Sequence, residues 1–296
     1  MYFGSVRFFK NLILLAVIIM ITIPTCTSFY YKSQYEKLLT ENKNIITTEN
    51  MALDKVFHHE DLLKPQRPEY QQLYPDFYAP QPIDAKEYKE KTVYLTFDDG
   101  PSARTYEVLD ILQKEDVKAT FFVIGKTDEF SRQAMRDIVR QGHTLAMHTY
   151  SHVYKNIYSS VEANLDDMYK LFTLIKETTG VTPTYFRFAG GSINSHNYGI
   201  YQEIAAEMMR RGFIPCDWNV SSGDASSTLL SVDAITQNVL GGIAKTNRAV
   251  VLMHDSYVRT TTVASLPGII RSLKEQGYSF DRLTPQTKPV LFTYTY

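Results

Sequence analysis

Residues 93–101 of the chain read VYLTFDDGP. The first part, Val93 to Phe97, is apolar or β-branched and predicts a buried strand that ends where Asp98 and Asp99 begin. The residues from Tyr106 to Glu115 follow with apolar side chains on one helical face. A buried strand followed by a helix is the repeating unit of a parallel sheet.

The same alternation recurs along the rest of the chain. Short apolar runs predict further strands at residues 119–124, 144–147, 185–188, 213–216, 249–253 and 278–280. Helical periodicity lies between them at residues 131–140, after 161, and at 201–210, 232–243 and 266–275. About seven such units are too many for one open sheet of this length, so we predict an α/β fold, a distorted (β/α) barrel with about seven parallel strands.

In a barrel of this kind the carboxyl ends of the strands meet at one mouth, where catalytic groups lie. Polar residues interrupt the apolar runs at those ends. Asp98 and Asp99 end the first strand, His148 the third and His254 the sixth, and Arg187 sits in the fourth. We therefore expect these residues to meet although they are far apart in sequence.

Two histidines, His148 and His152, are spaced i, i+4, which places both on one side of a helical turn and suits a divalent metal. With a carboxylate from Asp98 or Asp99 they form the open three-ligand set of hydrolytic zinc sites. Neighbouring strand residues point to opposite sides, so the two aspartates are expected to have different roles. Arg187, a charge in an apolar strand, requires a carboxylate partner.

Taken singly, each signal has a structural alternative: a simple Asp-Asp-Gly turn, a packing pair of histidines, or a structural His254. Together they resemble the carbohydrate esterase family 4 deacetylase domain, over residues 92 to about 283. Its five motifs occur in order as TFDDGP at 96–101, HTYSH at 148–152, RFAGG at 187–191, WNVSSGD at 218–224 and LMH at 252–254. The resemblance implies the same distorted barrel and a metal-dependent polysaccharide deacetylase.

The resemblance also assigns the metal and the base. Asp99, His148 and His152 are implied to bind one divalent metal, zinc in most relatives. Asp98 is implied to be the general base, and Arg187 would orient it. These roles agree with the chemistry expected of such residue types.

The remaining implied roles concern the leaving group and the acetyl group. His254 would be the general acid, and Asp224 would keep it charged. The backbone N–H of Gly190 would stabilise the oxyanion. Leu252 would line the acetyl pocket, with Trp218 nearby.

Two positions depart from the family pattern. Ala189 stands where proline is usual, which is expected to loosen the loop that presents the Gly190 amide. Ala225 stands where tryptophan is usual, which leaves the acetyl pocket either wider or closed from elsewhere. Neither position removes a catalytic group.

The segment before this domain begins with a predicted anchor. Arg7 and Lys10 precede an apolar run from Asn11 to Thr25, so residues 1–31 are predicted to be a short cytoplasmic segment and a transmembrane signal anchor. This anchor would hold a single-pass protein in the cell membrane with its catalytic domain extracellular. Cleavage of the segment as a signal peptide would instead give a secreted protein.

Residues 32–90 are polar and rich in proline, and they are predicted to be an extracellular stalk. The alternative is that they pack as an extra layer on the main domain, because they contain the aromatic residues Tyr70, Tyr74, Phe77 and Tyr78. Residues 91–285 would form the catalytic domain. Residues 286–296 would form a C-terminal tail.

The composition restricts the partners. The chain has 296 residues, and its 31 basic and 32 acidic residues leave a formal net charge of -1. Without a long run of either charge, no nucleic acid partner is expected. The expected partners are an N-acetylated polysaccharide and the membrane, and no obligate protein partner is evident.

The leading hypothesis is metal-dependent removal of N-acetyl groups from N-acetylglucosamine residues of a cell-wall polysaccharide, with peptidoglycan favoured. Two alternatives stay open. One is an O-deacetylase of xylan or another acetylated glycan. The other is a non-catalytic glycan-binding surface protein, which the altered third and fourth motifs motivate.

Overall fold

The structure is a computed structural model that describes residues 4, 6–15, 20, 30–41, 43, 67–80 and 90–293. Its contacts divide the chain into two units, Met1–Arg67 and Pro68–Tyr296. In the first unit the described residues 6–15 and 30–41 are helical. Within the described ranges no helix is both long and apolar enough to cross a membrane, so the predicted anchor is not supported there. Most of its apolar run lies outside the described residues.

The second unit alternates strands with helices. The strands are β1 (Thr92–Asp98), β2 (Thr120–Ile124), β3 (Thr144–Thr149), β4 (Tyr185–Phe186), β5 (Ile214–Pro215), β6 (Val220–Ser221), β7 (Arg248–His254) and β8 (Ser279–Phe280). The helices are α1 (Ala103–Lys114), α2 (Glu129–Arg140), α3 (Tyr154–Ile157), α4 (Val161–Thr179), α5 (Tyr201–Arg210), α6 (Val232–Ile243) and α7 (Thr260–Glu275). A 3-10 turn, Glu69–Gln72, precedes them.

All recorded strand pairs are parallel, in the order β5-β4-β3-β2-β1-β7-β6, and β8 pairs with the start of β1. The predicted strands are all present, although β4 and β5 are shorter than predicted. The two-residue strand β6 was not predicted, because so short a segment carries no detectable periodicity.

The ends of that order, β5 and β6, are consecutive in the chain and are joined by residues 216–219. If the sheet were flat, strands about 4.8 Å apart would place the outer two about 29 Å from each other. A link of four residues spans at most about 18 Å. The sheet must therefore curl, which confirms the predicted distorted (β/α) barrel with about seven parallel strands.

The core lies around β1, every residue of which is buried. Burial on both faces explains why its sequence is nearly continuously apolar instead of alternating. Phe97 of β1 stacks on Phe121 of β2 with ring centroids 5.2 Å apart. The surrounding helices add fully buried side chains such as Leu109, Leu165 and Ile269. This packing holds the carboxyl ends of β1, β3 and β7 in fixed positions.

Residues 68–80 pack on the barrel, although they belong to the segment predicted as a stalk. Phe77 is fully buried, with ring centroids 5.1 Å from Phe172 and 4.7 Å from Phe213. The buried guanidinium of Arg211 donates hydrogen bonds to the carbonyl oxygens of Tyr70, Leu73 and Tyr74. For this part of residues 32–90 the structure matches the alternative of an extra layer, because its aromatic side chains find an apolar surface. Residues 44–66 and 81–89 lie outside the described ranges.

Candidate active site

A cavity of about 380 Å³ opens at the carboxyl ends of the strands. Eight of the ten predicted site residues line it, namely Asp98, Asp99, His148, His152, Gly190, Trp218, Leu252 and His254. The other two, Arg187 and Asp224, are buried behind the cavity wall. The wall also contains Tyr154 and Arg259, which the sequence analysis did not identify.

Asp99, His148 and His152 form a compact cluster in which one carboxylate oxygen and two ring nitrogens all lie within 4.8 Å of one another. Asp99 Oδ1 is 3.6 Å from Nε2 of His148 and 3.3 Å from Nε2 of His152. The expected helical turn is wrong, because His148 belongs to β3 and His152 follows it in a loop with a φ of 54°. Asp99 has a φ of 73°, so it departs from the regular alternation of the strand that precedes it.

The cluster fits a divalent cation. His148 Nδ1 donates to the carbonyl oxygen of Arg187 at 2.9 Å, which leaves the Nε2 lone pair free on the side of Asp99. Burial lowers the pKa of His148 and outweighs the opposing charges of Asp98 and Asp99, so the imidazole is neutral, as a ligand must be. Asp99 Oδ1 is buried without a hydrogen-bond partner among the described residues. Two imidazoles and one free carboxylate oxygen are the ligand types of an open zinc-type site.

Asp98 is paired with Arg187, as the sequence analysis required of a charge in an apolar strand. Arg187 Nη1 donates to Asp98 Oδ1 at 2.8 Å, and Asp98 Oδ2 lies 3.9 Å from His148 Nε2. The guanidinium also lies over the ring of Phe122, with 4.1 Å to the centroid. The carboxylate therefore faces the cavity with one oxygen while the other is held from behind.

His254 is backed by Asp224. Its Nδ1 donates to Asp224 Oδ1 at 2.8 Å, and Asp224 Oδ2 accepts from both the His254 amide and the Thr262 hydroxyl, each at 2.8 Å. Burial by itself lowers the pKa of His254, but the hydrogen bond and charge of Asp224 and the charges of Asp98 and Asp99 outweigh it and raise the pKa to about 9. His254 is therefore a cation at neutral pH, able to give up a proton from Nε2.

The loop that carries Gly190 is held by side chains instead of by a proline. Gly190 and Gly191 have φ values of 77° and 89°, which favour glycine. The carbonyl oxygen of Ala189 accepts from the Tyr158 hydroxyl at 2.8 Å and from Asn194 Nδ2 at 3.1 Å. These bonds restrain the backbone just before Gly190 and so oppose the loosening expected from Ala189, which stays a prediction.

The predicted tail, residues 286–296, contributes to the site as far as it is described. The Phe292 ring packs edge-on against Trp218 with centroids 4.8 Å apart. Asp217, next to Trp218, joins the tail to the loop after Gly191. Its Oδ2 accepts from the Phe292 amide at 2.8 Å, and its Oδ1 accepts from the Ser192 amide at 2.9 Å. The tail therefore supports the Trp218 wall.

The turn after β3 is fixed by Asp167, which the sequence analysis missed. Its carboxylate accepts from the amides of Tyr150 and Ser151 at 2.5 and 2.9 Å, just before His152. Asp167 lies on α4 and is buried next to Met168. A carboxylate next to the apolar residues that form the buried face of this helix was the available signal, because a buried carboxylate requires donors.

The loop after β1 is fixed by Asp255. Thr105 Oγ1 donates to Asp255 Oδ2 at 2.5 Å, and a Cβ on Gly100 would lie only 2.4 Å from the same oxygen. Glycine in the Asp-Asp-Gly-Pro sequence is therefore required by this carboxylate. Burial raises the pKa of Asp255 to about 7, although the bond from Thr105 lowers it.

These parts define a class of enzyme. Asp98 and His254 are register partners on the adjacent strands β1 and β7. A carboxylate that can accept a proton thus lies next to an imidazolium that can donate one, beside a cluster suited to a divalent cation. A base, an acid and a site for a divalent cation are the catalytic groups of a metal-assisted hydrolase that cleaves an acyl bond.

Comparisons with known proteins support the assignment to this class of hydrolase. Residues 85–209 match the polysaccharide deacetylase family. A peptidoglycan-N-acetylglucosamine deacetylase of Bacillus cereus is 36% identical over 69% of this chain and 72% of its own length. The catalytic domain of a peptidoglycan N-acetylglucosamine deacetylase from Eubacterium rectale shares 37% identity over 72% of this chain and 98% of that domain, with a TM-score of 0.69.

A second similar structure is the Xyl-CE4 domain of a multidomain xylanase from the hindgut metagenome of Trinervitermes trinervoides. It is 33% identical, covers 66% of this chain and 88% of that domain, and has a TM-score of 0.55. The chain belongs to the polysaccharide deacetylase family, so it is a hydrolase. Membership in this family disfavours the hypothesis of a non-catalytic glycan-binding protein.

Proposed function

We propose that this chain removes N-acetyl groups from N-acetylglucosamine residues of a cell-wall polysaccharide, with peptidoglycan as the favoured polymer. The pair of Asp224 and His254 carries the proposal, because it keeps an imidazolium next to the strand that bears Asp98. An amine leaves an acyl carbon only after it gains a proton, so amide hydrolysis needs such an acid. The Bacillus cereus relative, a peptidoglycan-N-acetylglucosamine deacetylase by name, supports the choice of polymer.

The cluster of Asp99, His148 and His152 would hold one divalent cation, and zinc suits these ligand types best. A cation held there supplies Lewis acidity, which lowers the pKa of a water molecule and polarises a carbonyl oxygen. The carbonyl of Arg187 keeps His148 in the tautomer that such binding requires.

The proton transfers use residues of the chain. Asp98 accepts a proton from the water that attacks the acetyl carbon, and its bond to Arg187 holds the carboxylate in place. The N–H of Gly190 stabilises the oxyanion of the tetrahedral intermediate. His254 then donates its proton to the sugar nitrogen, the C–N bond breaks, and acetate and a free amine leave.

The acetyl methyl group would lie against the apolar part of the cavity. Leu252 and Trp218 both line it. The contact of Phe292 with Trp218 restrains the indole ring. Because one methyl group in an apolar pocket gives only modest discrimination, these residues orient the acetyl group more than they select the polymer.

The test is release of acetate and appearance of free amine from N-acetylated glycans, peptidoglycan included, by the full-length chain. We expect activity that is lost on chelation and returns with Zn²⁺. We expect Asp98→Asn to reduce kcat by at least about 10²-fold. Activity that survives complete metal removal, or an Asp98→Asn variant as fast as the parent, would contradict the proposal.

The second candidate is O-deacetylation of xylan or another acetylated glycan, which the likeness to a domain of a multidomain xylanase favours. An alkoxide leaves more readily than an amine, so an ester depends less on His254. Rates of the parent enzyme on matched ester and amide glycans decide between the two candidates, and His254→Gln should slow ester cleavage less than amide cleavage. A parent enzyme that cleaves only the ester would favour this candidate.

We further propose that the enzyme works outside the cytoplasm, as the basic residues Arg7 and Lys10 before an apolar run and a cell-wall substrate both suggest. A protease added to intact cells should digest a tag fused to the C-terminus. Full protection of the tag in intact cells, with digestion after lysis, would refute this location.

A further inference from the structure

Arg259 brings a guanidinium to the wall of the active-site cavity. Its Nη1 donates a single 3.3 Å hydrogen bond to the Ser226 carbonyl oxygen. Its Nε is buried without a hydrogen-bond partner in the part of the chain that the structure describes, where no carboxylate pairs with this side chain either. The guanidinium is thus held by one long bond, and its Nη groups keep donors for an acceptor that a ligand in the cavity supplies.

The acids that surround the cavity are already engaged. Asp98 is bound by Arg187, and Asp224 is bound by His254. Asp99 faces the histidine cluster. Among these groups none is left to neutralise Arg259, so the cavity wall carries one cation that the proposed chemistry does not use.

The small side chain of Ala225 leaves open space in the cavity that Arg259 lines. It is exposed and lines the same cavity as Arg259. Its methyl side chain covers little of the wall. The sequence left the acetyl pocket either wider or closed from elsewhere. In the structure, the Arg259 side chain from another loop forms part of the cavity wall.

The backbone of Arg259 is fixed before any ligand arrives. Its amide donates to the Ser256 carbonyl oxygen at 3.0 Å, and its own carbonyl accepts from Val263 in the first turn of α7. The preceding Tyr257 and Val258 are exposed apolar side chains at 71% and 59%. The Tyr257 ring, which the Arg104 guanidinium also contacts, is an exposed aromatic side chain two residues before Arg259.

We propose that Arg259 binds a carboxylate on the glycan, on the sugar next to the one that is deacetylated. The substrate class is then an acidic N-acetylated polysaccharide, and this inference rests on the function proposed above. A guanidinium binds a carboxylate through two parallel charge-assisted hydrogen bonds, and the Nη groups of Arg259, held by one 3.3 Å bond, can donate them. The carboxylate comes from a lactyl ether or from a uronic acid.

The experiment compares N-acetylglucosamine oligosaccharides that differ in the neighbouring sugar. In one set this sugar bears a lactyl ether carboxylate, in a second it is a uronic acid, and in a third either carboxylate is converted to its methyl ester. With the full-length enzyme we expect a higher kcat/KM for one acidic set than for its ester, through KM. Arg259→Gln should reduce that preference by about tenfold or more, and Arg259→Lys should retain part of it. The acidic set that shows the preference identifies the source of the carboxylate.

Arg271→Gln is the matched control, because Arg271 is an exposed arginine on α7 that does not line the cavity. This variant should keep the parent's preference. Equal kcat/KM for acid and ester in the parent, or an unchanged preference in Arg259→Gln, would overturn the inference while the deacetylase function stands.

A readout independent of turnover uses calorimetric binding to the slow Asp98→Asn variant. Acidic oligosaccharides should bind about tenfold more tightly than their esters, and adding Arg259→Gln should remove the difference. If the parent releases no acetate from any set, the proposed function fails, and this binding difference still decides the role of Arg259. Equal binding of acid and ester would refute that role.

Discussion

Arg187 Nη1 lies 2.8 Å from Asp98 Oδ1, and the two side chains are closed to solvent at 0% and 3% exposure. The same guanidinium donates to Thr96 Oγ1 and to the carbonyl oxygens of Cys216 and Asp217. One side chain thus joins the end of β1 to the link between β5 and β6, where the curled sheet approaches closure. The residue that orients the proposed base also holds the barrel together.

Arg187→Lys is therefore expected to lower both kcat and the thermal midpoint. A lysine ammonium cannot reproduce the planar fork, and each buried acceptor left without a donor costs about 1–3 kcal/mol. Thermal denaturation and acetate release at pH 7 measure the two effects. Arg136→Lys, on the partly exposed face of α2, should leave both values near those of the parent. A variant with the parent's midpoint and kcat would show that the fork is dispensable.

Asp224→Asn should move the basic limb of the pH–kcat profile to lower pH. His254 acts as an acid only when protonated, so kcat falls as pH rises through its pKa. Loss of the Asp224 charge brings that pKa from about 9 down toward its ordinary 6.5. A bound divalent cation offsets the charges of Asp98 and Asp99, so the loaded parent should show a limb below 9. An unchanged limb in the variant would contradict the assigned acid.

His152→Gln is expected to weaken binding of a divalent cation by about 10-fold or more, because one of three ligands is exchanged for a poorer donor. Calorimetric titration with Zn²⁺ and the metal content after dialysis measure this. His196→Gln, an exposed substitution near Tyr154, is the control and should bind as the parent does. Equal Zn²⁺ affinity in parent and His152→Gln would exclude this histidine as a ligand.

Tyr158→Phe should lower kcat by several-fold to about tenfold with little change in KM. The substitution removes the hydroxyl that holds the Ala189 carbonyl, so the Gly190 amide is less well placed for the oxyanion. The amide itself stays, so the loss should fall short of the 10²–10³-fold seen when an oxyanion donor is deleted. Tyr198→Phe, at an exposed position, is the control. An effect confined to KM would point to substrate binding instead.

Asp255→Asn should become more stable relative to the parent as pH rises. The folded-state pKa of Asp255, about 7, lies above the ordinary 3.8, so the protonated form stabilises the fold below about pH 4 and this contribution is lost as pH rises through 7. Asparagine carries no such proton. Urea unfolding at pH 5 and 8 should show a relative gain of up to about 3 kcal/mol, because part of the effect has already been lost by pH 5. Asp110→Asn, exposed on α1, should show no such trend, and a flat difference for Asp255→Asn would refute the assignment.

Much of the fold was predictable because its signals are local. The alternation of apolar runs and helical periodicity requires only neighbouring residues, and it placed β1, β7 and α4 close to their observed bounds. The strands β4, β5 and β6 have only two residues each and were less well predicted. Their pairing depends on the curl of the whole sheet.

The supporting residues of the site were not predictable in the same way. Asp167, Tyr158 and Asp217 hold the loops around the cavity through bonds to backbone groups at distant positions. Such bonds leave no motif in the sequence, because any donor or acceptor of suitable reach can make them. Arg259 was missed for the same reason, since its role depends on the small side chain of Ala225 beside it.

The short sequence VYLTFDDGP and its companion motifs by themselves determined the barrel, the enzyme family and the ten candidate residues. Residue type and strand position predicted the meeting of Asp98, Asp99, His148, Arg187 and His254, because parallel strands bring their carboxyl ends to one mouth. The family and the remaining candidates followed from the histidine spacing and from the resemblance of the motifs. Only the tertiary structure decided that the carboxylate of Asp99 meets His148 and His152 without a helical turn, and that Arg259 lacks a carboxylate partner among the described residues. Left-handed backbone at single residues and contacts between distant loops set those features, and neither is encoded in local periodicity.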